Sequence, residues 1–313
     1  MPELPEVETT VNGLNRAVRG LKITGVWTDY GGAYHRGKQN IKDQKYFKEF
    51  RRRVMGAALR GAERLGKNVV LKLSNGRSIV IHMKMTGHLL YGTYSRRLKI
   101  KNQKSKIKEQ SWEPIEPESL KDPYNRFIHL VFTLSNGRHL AFSDMRKFGK
   151  VFVCRSEITH CHPDLEKLGP DPLSPATDLK LFKERLKKRP NAPIKPVLMD
   201  QTVLAGIGNI YSDEILWLAG LHPLTAVKKI SGKKMRKLHL AMKSILKKGM
   251  RFGGDSMSDY RNLEGEPGRF QNEHRAYRLT GKKCQKPNCP GTIRRLKIGG
   301  RSAHFCDKHQ SPI

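Results

Sequence analysis

Residues 69–82 read Val-Val-Leu-Lys-Leu-Ser-Asn-Gly-Arg-Ser-Ile-Val-Ile-His. The centre, Ser74-Asn-Gly-Arg77, carries the Asn-Gly signal of a tight hairpin. Its flanks, Val69–Leu73 and Ser78–His82, are apolar or alternating, as strands are. The same design recurs downstream: Phe127–Leu134, then Ser135-Asn-Gly-Arg138, then His139–Phe142. Ile23–Trp27 and Lys150–Cys154 are further strand-like runs. Many short antiparallel strands predict a two-sheet β-sandwich in the N-terminal half.

Between these strands lies Ser95–Gln110, SRRLKIKNQKSKIKEQ. It is polar, almost wholly basic and non-periodic, and it is expected to be a surface loop. Ahead of the strands, Pro2 to Arg19 predicts a helix. Pro2 suits a first helical turn, and Glu3, Glu6 and Glu8 sit where the positive end of the helix dipole favours anions. Leu4, Val7, Val11, Leu14 and Val18 recur at helical spacing.

The texture changes near Leu165. Gly169-Pro-Asp-Pro-Leu173 is a linker signal, followed by helical patterns at Asp178–Lys188, Val197–Leu204, Tyr211–Leu218 and Ser231–Lys248. The last forty or so residues are turn-rich and hold three of the five cysteines. Such a tail does not resemble a secreted disulfide framework. Cys284-x4-Cys289 and Cys306-x2-His309 place two ligand pairs on two turns, a set that closes a tetrahedron around zinc. His304 competes with His309 for the fourth place; the two-residue gap favours His309. The stretch Thr292–Phe305 alternates around Gly-Gly and predicts a hairpin presenting Arg294, Arg295, Lys297 and Arg301. With four protein ligands the site would be structural, since no coordination position stays open for substrate.

Sixty-one basic residues face 28 acidic ones, a net charge of +33. So large an excess repels itself unless a polyanion balances it, and it points to nucleic acid. No apolar run approaches the ~20 residues of a membrane span. The acidic N-terminus has no apolar core of a signal peptide, so an intracellular protein is expected.

Three stretches in this order, Met1-Pro-Glu-Leu-Pro-Glu-Val-Glu-Thr9, Gly206-Ile-Gly-Asn-Ile-Tyr-Ser-Asp-Glu214 and the terminal cysteine hairpin, resemble the formamidopyrimidine-DNA glycosylase family. The resemblance covers nearly the whole chain. It implies an α+β multidomain fold: a β-sandwich with an N-terminal helix (2–165), a helix–two-turns–helix domain (166–272) and a zinc-finger β-hairpin (273–313). It implies a monomeric bifunctional glycosylase and abasic-site lyase acting on duplex DNA that carries oxidised bases or abasic sites.

Once Met1 is removed, Pro2 is a secondary amine with a pKa near ~7.7–8.0, partly neutral at working pH. Its attack on a sugar C1′ yields a cationic iminium, an electron sink that acidifies the neighbouring proton. The resemblance makes Pro2 the nucleophile and Glu3 the general acid/base, gives Glu6 a further carboxylate position, and counts Lys67 as catalytic and DNA-contacting. His82, Asn209 and Arg301 match phosphate contacts; for Asn209, the Gly-x-Gly-Asn turn offers backbone N–H groups to a phosphate. Tyr211 and Glu214 read as supporting residues. Met85, Arg146 and Phe148 match the plug that fills the gap left by an everted base. The family usually has Asp-Pro-Arg-Arg-Phe-Gly, where this chain has Met145 and Lys147 at the second and fourth places. Gly253–Tyr260 matches a loop that caps an oxidised purine, so 8-oxoguanine and formamidopyrimidines are the expected lesions. Two other readings are an enzyme of the Nei branch, which favours oxidised pyrimidines, and a zinc-finger DNA-binding protein without catalysis. Pro2, Glu3 and Lys67 argue against the second.

Overall fold

Leu4, Val7, Val11, Leu14 and Val18 are all buried, so the apolar stripe of helix α1 (Leu4–Ala17) faces protein along its whole length. The computed structural model describes residues 1–31, 36–102, 107–257 and 259–311. The chain packs into two compact units. One comprises residues 1–2, 6–162 and 253–268; the other comprises 3–5, 163–252 and 269–313.

In the first unit, β1 (Ile23–Thr28), β7 (Ile128–Leu134), β8 (His139–Ser143), β5 (His88–Asn102) and β6 (Ile107–Glu116) form an antiparallel sheet in that spatial order. A second sheet runs β2 (Leu59–Leu65), β3 (Asn68–Leu73), β4 (Arg77–His82), β9 (Lys150–Arg155). The inner faces of both sheets share one core with Val7, Val11, Leu14 and Val18 of α1. This is the expected sandwich. Burial of each such Val or Leu stabilises by roughly 1.5–3 kcal/mol.

The Asn-Gly hairpins close in a specific way. Gly76 and Gly137 have φ of 72° and 78°, while Asn75 and Asn136 are not left-handed. Leu134 N donates to Arg138 O, and Gly137 N to Leu134 O. This is the type I turn followed by a left-handed residue, rather than a two-residue primed turn.

In the first unit three features differ from the sequence expectation. Residues 95–110 are not a loop: β5 continues to Asn102 and β6 starts at Ile107, with Ser95 opposite Glu113 and Arg97 opposite Ser111. Arg97 pairs with Glu113 at 2.9 Å. The stretch Leu98-Lys-Ile-Lys101 does alternate, and the surrounding lysines concealed it. Residues 103–106 lie outside the described residues. Helix α2 (Gln44–Val54) was not anticipated; Asp43 caps it by accepting from Tyr46 N, and Phe50 and Val54 bury its one apolar edge. Strand β2 was missed because only Leu59 of its seven residues is buried.

The second unit holds α3 (Leu179–Lys187), α4 (Ile194–Met199), α5 (Asn209–Ala219) and α6 (Gly232–Arg251), with the hairpin β10 (Ile293–Ile298) and β11 (Arg301–Cys306). α4 begins and ends before the predicted 197–204; Asp200 N bonds Val197 O, and Val203 and Leu204 follow in a turn. Leu4, Phe182, Val197, Ile215, Leu238 and Leu246 are among the residues of its core. No helix among the described residues is long and apolar enough to cross a membrane.

Candidate functional site

Glu3 is buried and belongs to the second unit. Its carboxylate accepts from the N–H of Gly208 at 2.8 Å, of Ile210 at 3.0 Å and of Tyr211 at 3.4 Å. Gly208 caps the N-terminus of α5, so the carboxylate sits where unsatisfied donors and the positive helix end converge. A Cβ on Gly208 would lie 2.4 Å from Glu3 Cδ, which is why that position carries glycine. Leu4 N donates to Gly206 O at 3.0 Å and completes the junction. The Gly-x-Gly-Asn turn therefore spends these N–H groups on Glu3, where sequence reasoning had offered them to a phosphate. The Asn209 Oδ1 is buried without a hydrogen-bond partner.

Pro2 lies in the first unit, buried, with Met1 exposed ahead of it. Glu6, also in the first unit, accepts from Asp255 N at 2.7 Å, and Tyr260 OH donates to Glu6 O at 3.0 Å. Glu6 thus ties the 253–260 segment to α1; residue 258 of that segment lies outside the described residues.

The first unit brings its remaining candidates to one end of the four-stranded sheet. Asn68 pairs with His82, and His82 with Lys150, so Lys67, His82 and the Phe148–Lys150 segment follow one another across the strand ends. Lys67 is buried in the β2–β3 turn. His82 Nδ1 accepts from Lys84 N at 3.0 Å. Thr86, beside Met85, donates to Asp144 at 2.6 Å and accepts from Arg146 N at 3.1 Å. Asp144, fully buried, also accepts from Gly149 N and Tyr30 OH. Two loops are so locked together, and they present Met85, Arg146 and Phe148. The Arg146 guanidinium lies 4.5 Å from the Phe148 ring centroid, and Phe148 is 49% exposed. A cation stacked on an exposed aromatic is suited to replacing a lost base. Lys147, at φ 53°, is held through its carbonyl by Lys42 Nζ at 2.5 Å. Burial pulls the Lys42 pKa down, with the Asp144 charge opposing.

In the second unit, Asp213 and Lys195 are buried and paired at 2.5 Å. Lys195 Nζ also donates to Ser302 O at 2.8 Å and reaches Asn209 O at 3.5 Å. One buried lysine therefore joins the start of α5, where Asn209 sits, to β11, where exposed Arg301 sits. Burial lowers the Lys195 pKa and the Asp213 charge raises it. Sequence reasoning missed Lys195; its only signal is a lysine between apolar residues in Ile194-Lys-Pro-Val197. Glu214 is fully buried and accepts from the N–H groups of Arg275, Ala276 and Tyr277; burial raises its pKa. Tyr211 stacks on Phe270 at 4.9 Å.

Cys284, Cys289, Cys306 and His309 offer ligand atoms that all lie within 4.8 Å of one another. Cys289 and Cys306 sulfurs are 3.6 Å apart, and His309 Nδ1 lies 3.4 Å from Cys284 Sγ. A tetrahedron with Zn–S near 2.3 Å requires about 3.8 Å between sulfurs, so the set fits that ion. His309 Nε2 bonds Trp217 O at 3.1 Å, which leaves Nδ1 for the metal. His304 is elsewhere: Asp213 accepts from its N at 3.0 Å and bonds its Nδ1 at 2.8 Å. Gly299 and Gly300, both at positive φ, turn the hairpin between Ile298 and Arg301.

Comparison with known proteins gives two family matches. Residues 1–151 match the formamidopyrimidine-DNA glycosylase N-terminal domain, and residues 168–261 the H2TH domain of the same enzymes. A formamidopyrimidine-DNA glycosylase of Desulforamulus reducens is 32% identical over 312 residues, 99% of each chain. The Lactococcus lactis Fpg in complex with abasic-site DNA aligns with a TM-score of 0.79 at 30% identity, covering 99% of each chain. MutM in complex with DNA containing carbocyclic 8-oxo-G aligns with a TM-score of 0.78 at 30% identity, covering 99% of this chain and 100% of that one.

Proposed function

From the premise that this chain belongs to the formamidopyrimidine-DNA glycosylase family, we propose that it excises oxidised purines from duplex DNA and then cleaves the strand at the abasic site. The observation that carries this reading is the fixed carboxylate of Glu3, held by Gly208, Ile210 and Tyr211 N–H immediately after Pro2.

In the proposed reaction the Met1-free Pro2 amine attacks C1′ of the damaged nucleoside. Glu3 protonates the sugar ring oxygen, which opens the ring. The C1′–base bond breaks, its electron pair leaves with the base, and the base takes up a proton. The resulting iminium acidifies C2′, loss of that proton expels the 3′ phosphate, and a second elimination expels the 5′ phosphate. Lys67 is assigned to the same strand, and His82, Asn209 and Arg301 to phosphates. Met85, Arg146 and Phe148 fill the space of the everted base. Cytosine offers acceptors to Arg146, so lesions opposite cytosine are preferred. The Cys284–Cys289–Cys306–His309 set would hold one zinc ion that stiffens the hairpin carrying Arg301. The place of work is intracellular, where the DNA is.

Borohydride trapping tests the reading. Duplexes carrying 8-oxoguanine or an oxidised pyrimidine, each opposite several bases, are reduced during turnover and the adduct is mapped. An adduct at Pro2, most abundant with 8-oxoguanine opposite cytosine, is expected. Full lyase activity in a form that retains Met1 would move the nucleophile elsewhere, with Lys67 the first suspect. Faster excision of the pyrimidine lesion would favour the Nei-like specificity.

A further inference from the structure

Helix α6 reads Gly232-Lys-Lys-Met-Arg-Lys-Leu-His-Leu-Ala-Met-Lys-Ser-Ile-Leu-Lys-Lys-Gly-Met-Arg251 and contains no acidic residue. At 100° per residue, Lys233, Arg236, Lys237, Lys243, Lys247 and Arg251 fall within one sector of about 120°. Leu240, 59% exposed, and Ser244 complete that sector. The opposite side, with Met235, Leu238, Met242, Ile245 and Leu246, is buried in the core that also contains Tyr211, Ile215 and Leu216 of α5. The cationic stripe therefore points away from α5, the helix that begins at Asn209 and caps Glu3.

At the N-terminal end the charge arrangement does not serve helix stability, although Lys248 and Arg251 suit the last turn. Two lysines stand in the first turn, where the helix dipole disfavours cations, and no acid is present there. No residue of the helix can form the Glu–Lys pairs that usually offset like charges three and four apart. Lys233, Arg236, Lys237, Lys243 and Lys247 enter no ion pair among the described residues; Lys248, at the margin, is the one that pairs, with Glu273 at 2.6 Å. A row of unpaired, mutually repelling cations, all exposed except half-buried Lys243, calls for an external polyanion.

We propose that this outward face of α6 is a docking surface for a second segment of DNA duplex, separate from the surface that handles the lesion. The stripe runs about 27 Å from Lys233 to Arg251 at 1.5 Å per residue. A duplex presents one phosphate charge per about 1.7 Å counting both strands, or about sixteen over that length, so a rigid straight row of cations has phosphate charge beside it along its whole run. Exposed Leu240 at its centre can lie against deoxyribose. An enzyme searching for rare lesions would thereby hold one duplex while sampling another. The inference rests on the family reading for its DNA partner and goes beyond it in assigning a second site.

The test uses the full, zinc-loaded chain saturated with a short duplex that carries a stable tetrahydrofuran abasic analogue and one fluorophore. A lesion-free duplex with a second fluorophore is then titrated at several salt concentrations. The wild type is expected to capture both duplexes. A Lys233→Gln/Arg236→Gln/Lys237→Gln/Lys247→Gln variant, built with a residue of good helix propensity, should bind the second duplex at least tenfold more weakly. Its log–log salt slope should fall by about 3.6, from the −0.9 per phosphate contact of duplex DNA and four cations removed. Its single-turnover excision on the short duplex should be unchanged. Failure of the wild type to capture a second duplex, or equal capture by the variant, overturns the proposal. Displacement of the second duplex by polyglutamate at lower charge concentration than by DNA also overturns it, in favour of an acidic protein. A wild type that excises nothing but bridges two duplexes, with the variant unable to, sinks the enzymatic reading and supports the docking surface.

Discussion

Glu3 and Gly208 lie 205 positions apart, and the N–H of Gly208 donates to the Glu3 carboxylate at 2.8 Å. The third residue of the chain is thus oriented by the first turn of a helix in its other half. A hydrogen bond to a charged group contributes about 1.5–3 kcal/mol, and three of them leave little freedom in where the carboxylate points.

Gly208→Ala should therefore act on catalysis through Glu3. The added methyl would meet Glu3 Cδ at 2.4 Å, so the carboxylate must move. Base excision is expected to fall by at least ~100-fold, the scale of general acid catalysis. Glu3→Gln should fall as far, while both variants still trap with borohydride on a pre-formed abasic site, whose open form already exposes an aldehyde. Near wild-type excision of 8-oxoguanine by Glu3→Gln would show that the proton comes from another group.

The metal set predicts different outcomes for two neighbouring histidines. His309→Ala removes a ligand and should lower zinc content below one per chain and weaken DNA binding. His304→Ala should keep its zinc, because His304 bonds Asp213. Elemental analysis of the purified variants decides between them. Metal-free wild type with full activity would refute the assignment of a zinc-stiffened hairpin.

Thr86→Val removes two hydrogen bonds at once, the one to Asp144 and the one from Arg146 N. Leaving a buried Asp144 oxygen short of a donor should cost about 1–3 kcal/mol in denaturant unfolding. Because the Arg146 backbone is held by the same hydroxyl, the proposed preference for cytosine opposite the lesion should narrow as well. Thr86→Ser should restore both properties; a serine variant with the valine phenotype would place the effect in the lost methyl.

Acid should destabilise the first unit through His88. Burial depresses its pKa to about 4, with Asn125 bonded to Nε2 at 2.9 Å. The unfolded chain titrates near ~6.5. Between about pH 6.5 and 4 the unfolded state binds the extra proton, so stability falls as pH falls through that window and is fully present above it. The loss approaches about 3 kcal/mol at 1.36 kcal/mol per pKa unit. Urea unfolding at pH 7 and pH 5 should show it, and His88→Gln should flatten the slope. An unchanged slope in that variant would assign the acid sensitivity to other groups.

Local pattern was enough for much of the fold. The two Asn-Gly hairpins, the apolar stripe of α1, the periodicity of α6 and the paired spacing of Cys284, Cys289, Cys306 and His309 are each set by neighbours a few residues apart. Hydrophobic period and turn chemistry report such relations directly. The β5–β6 ribbon escaped because its apolar alternation, Leu98-Lys-Ile-Lys101, is short and stands among lysines. What only the tertiary structure decided is where polar groups find partners. Sequence could not show that the Gly206–Asn209 turn serves Glu3, that Asp213 claims His304 and leaves His309 for the metal, or that Lys195 joins Asn209 to Ser302. It could not show that Thr86 and Asp144 lock two loops into one surface. Each of these is a bond between buried groups distant in the chain, and burial leaves such groups no water to bond instead. Their partners are fixed by the fold as a whole, and no spacing along the chain encodes them.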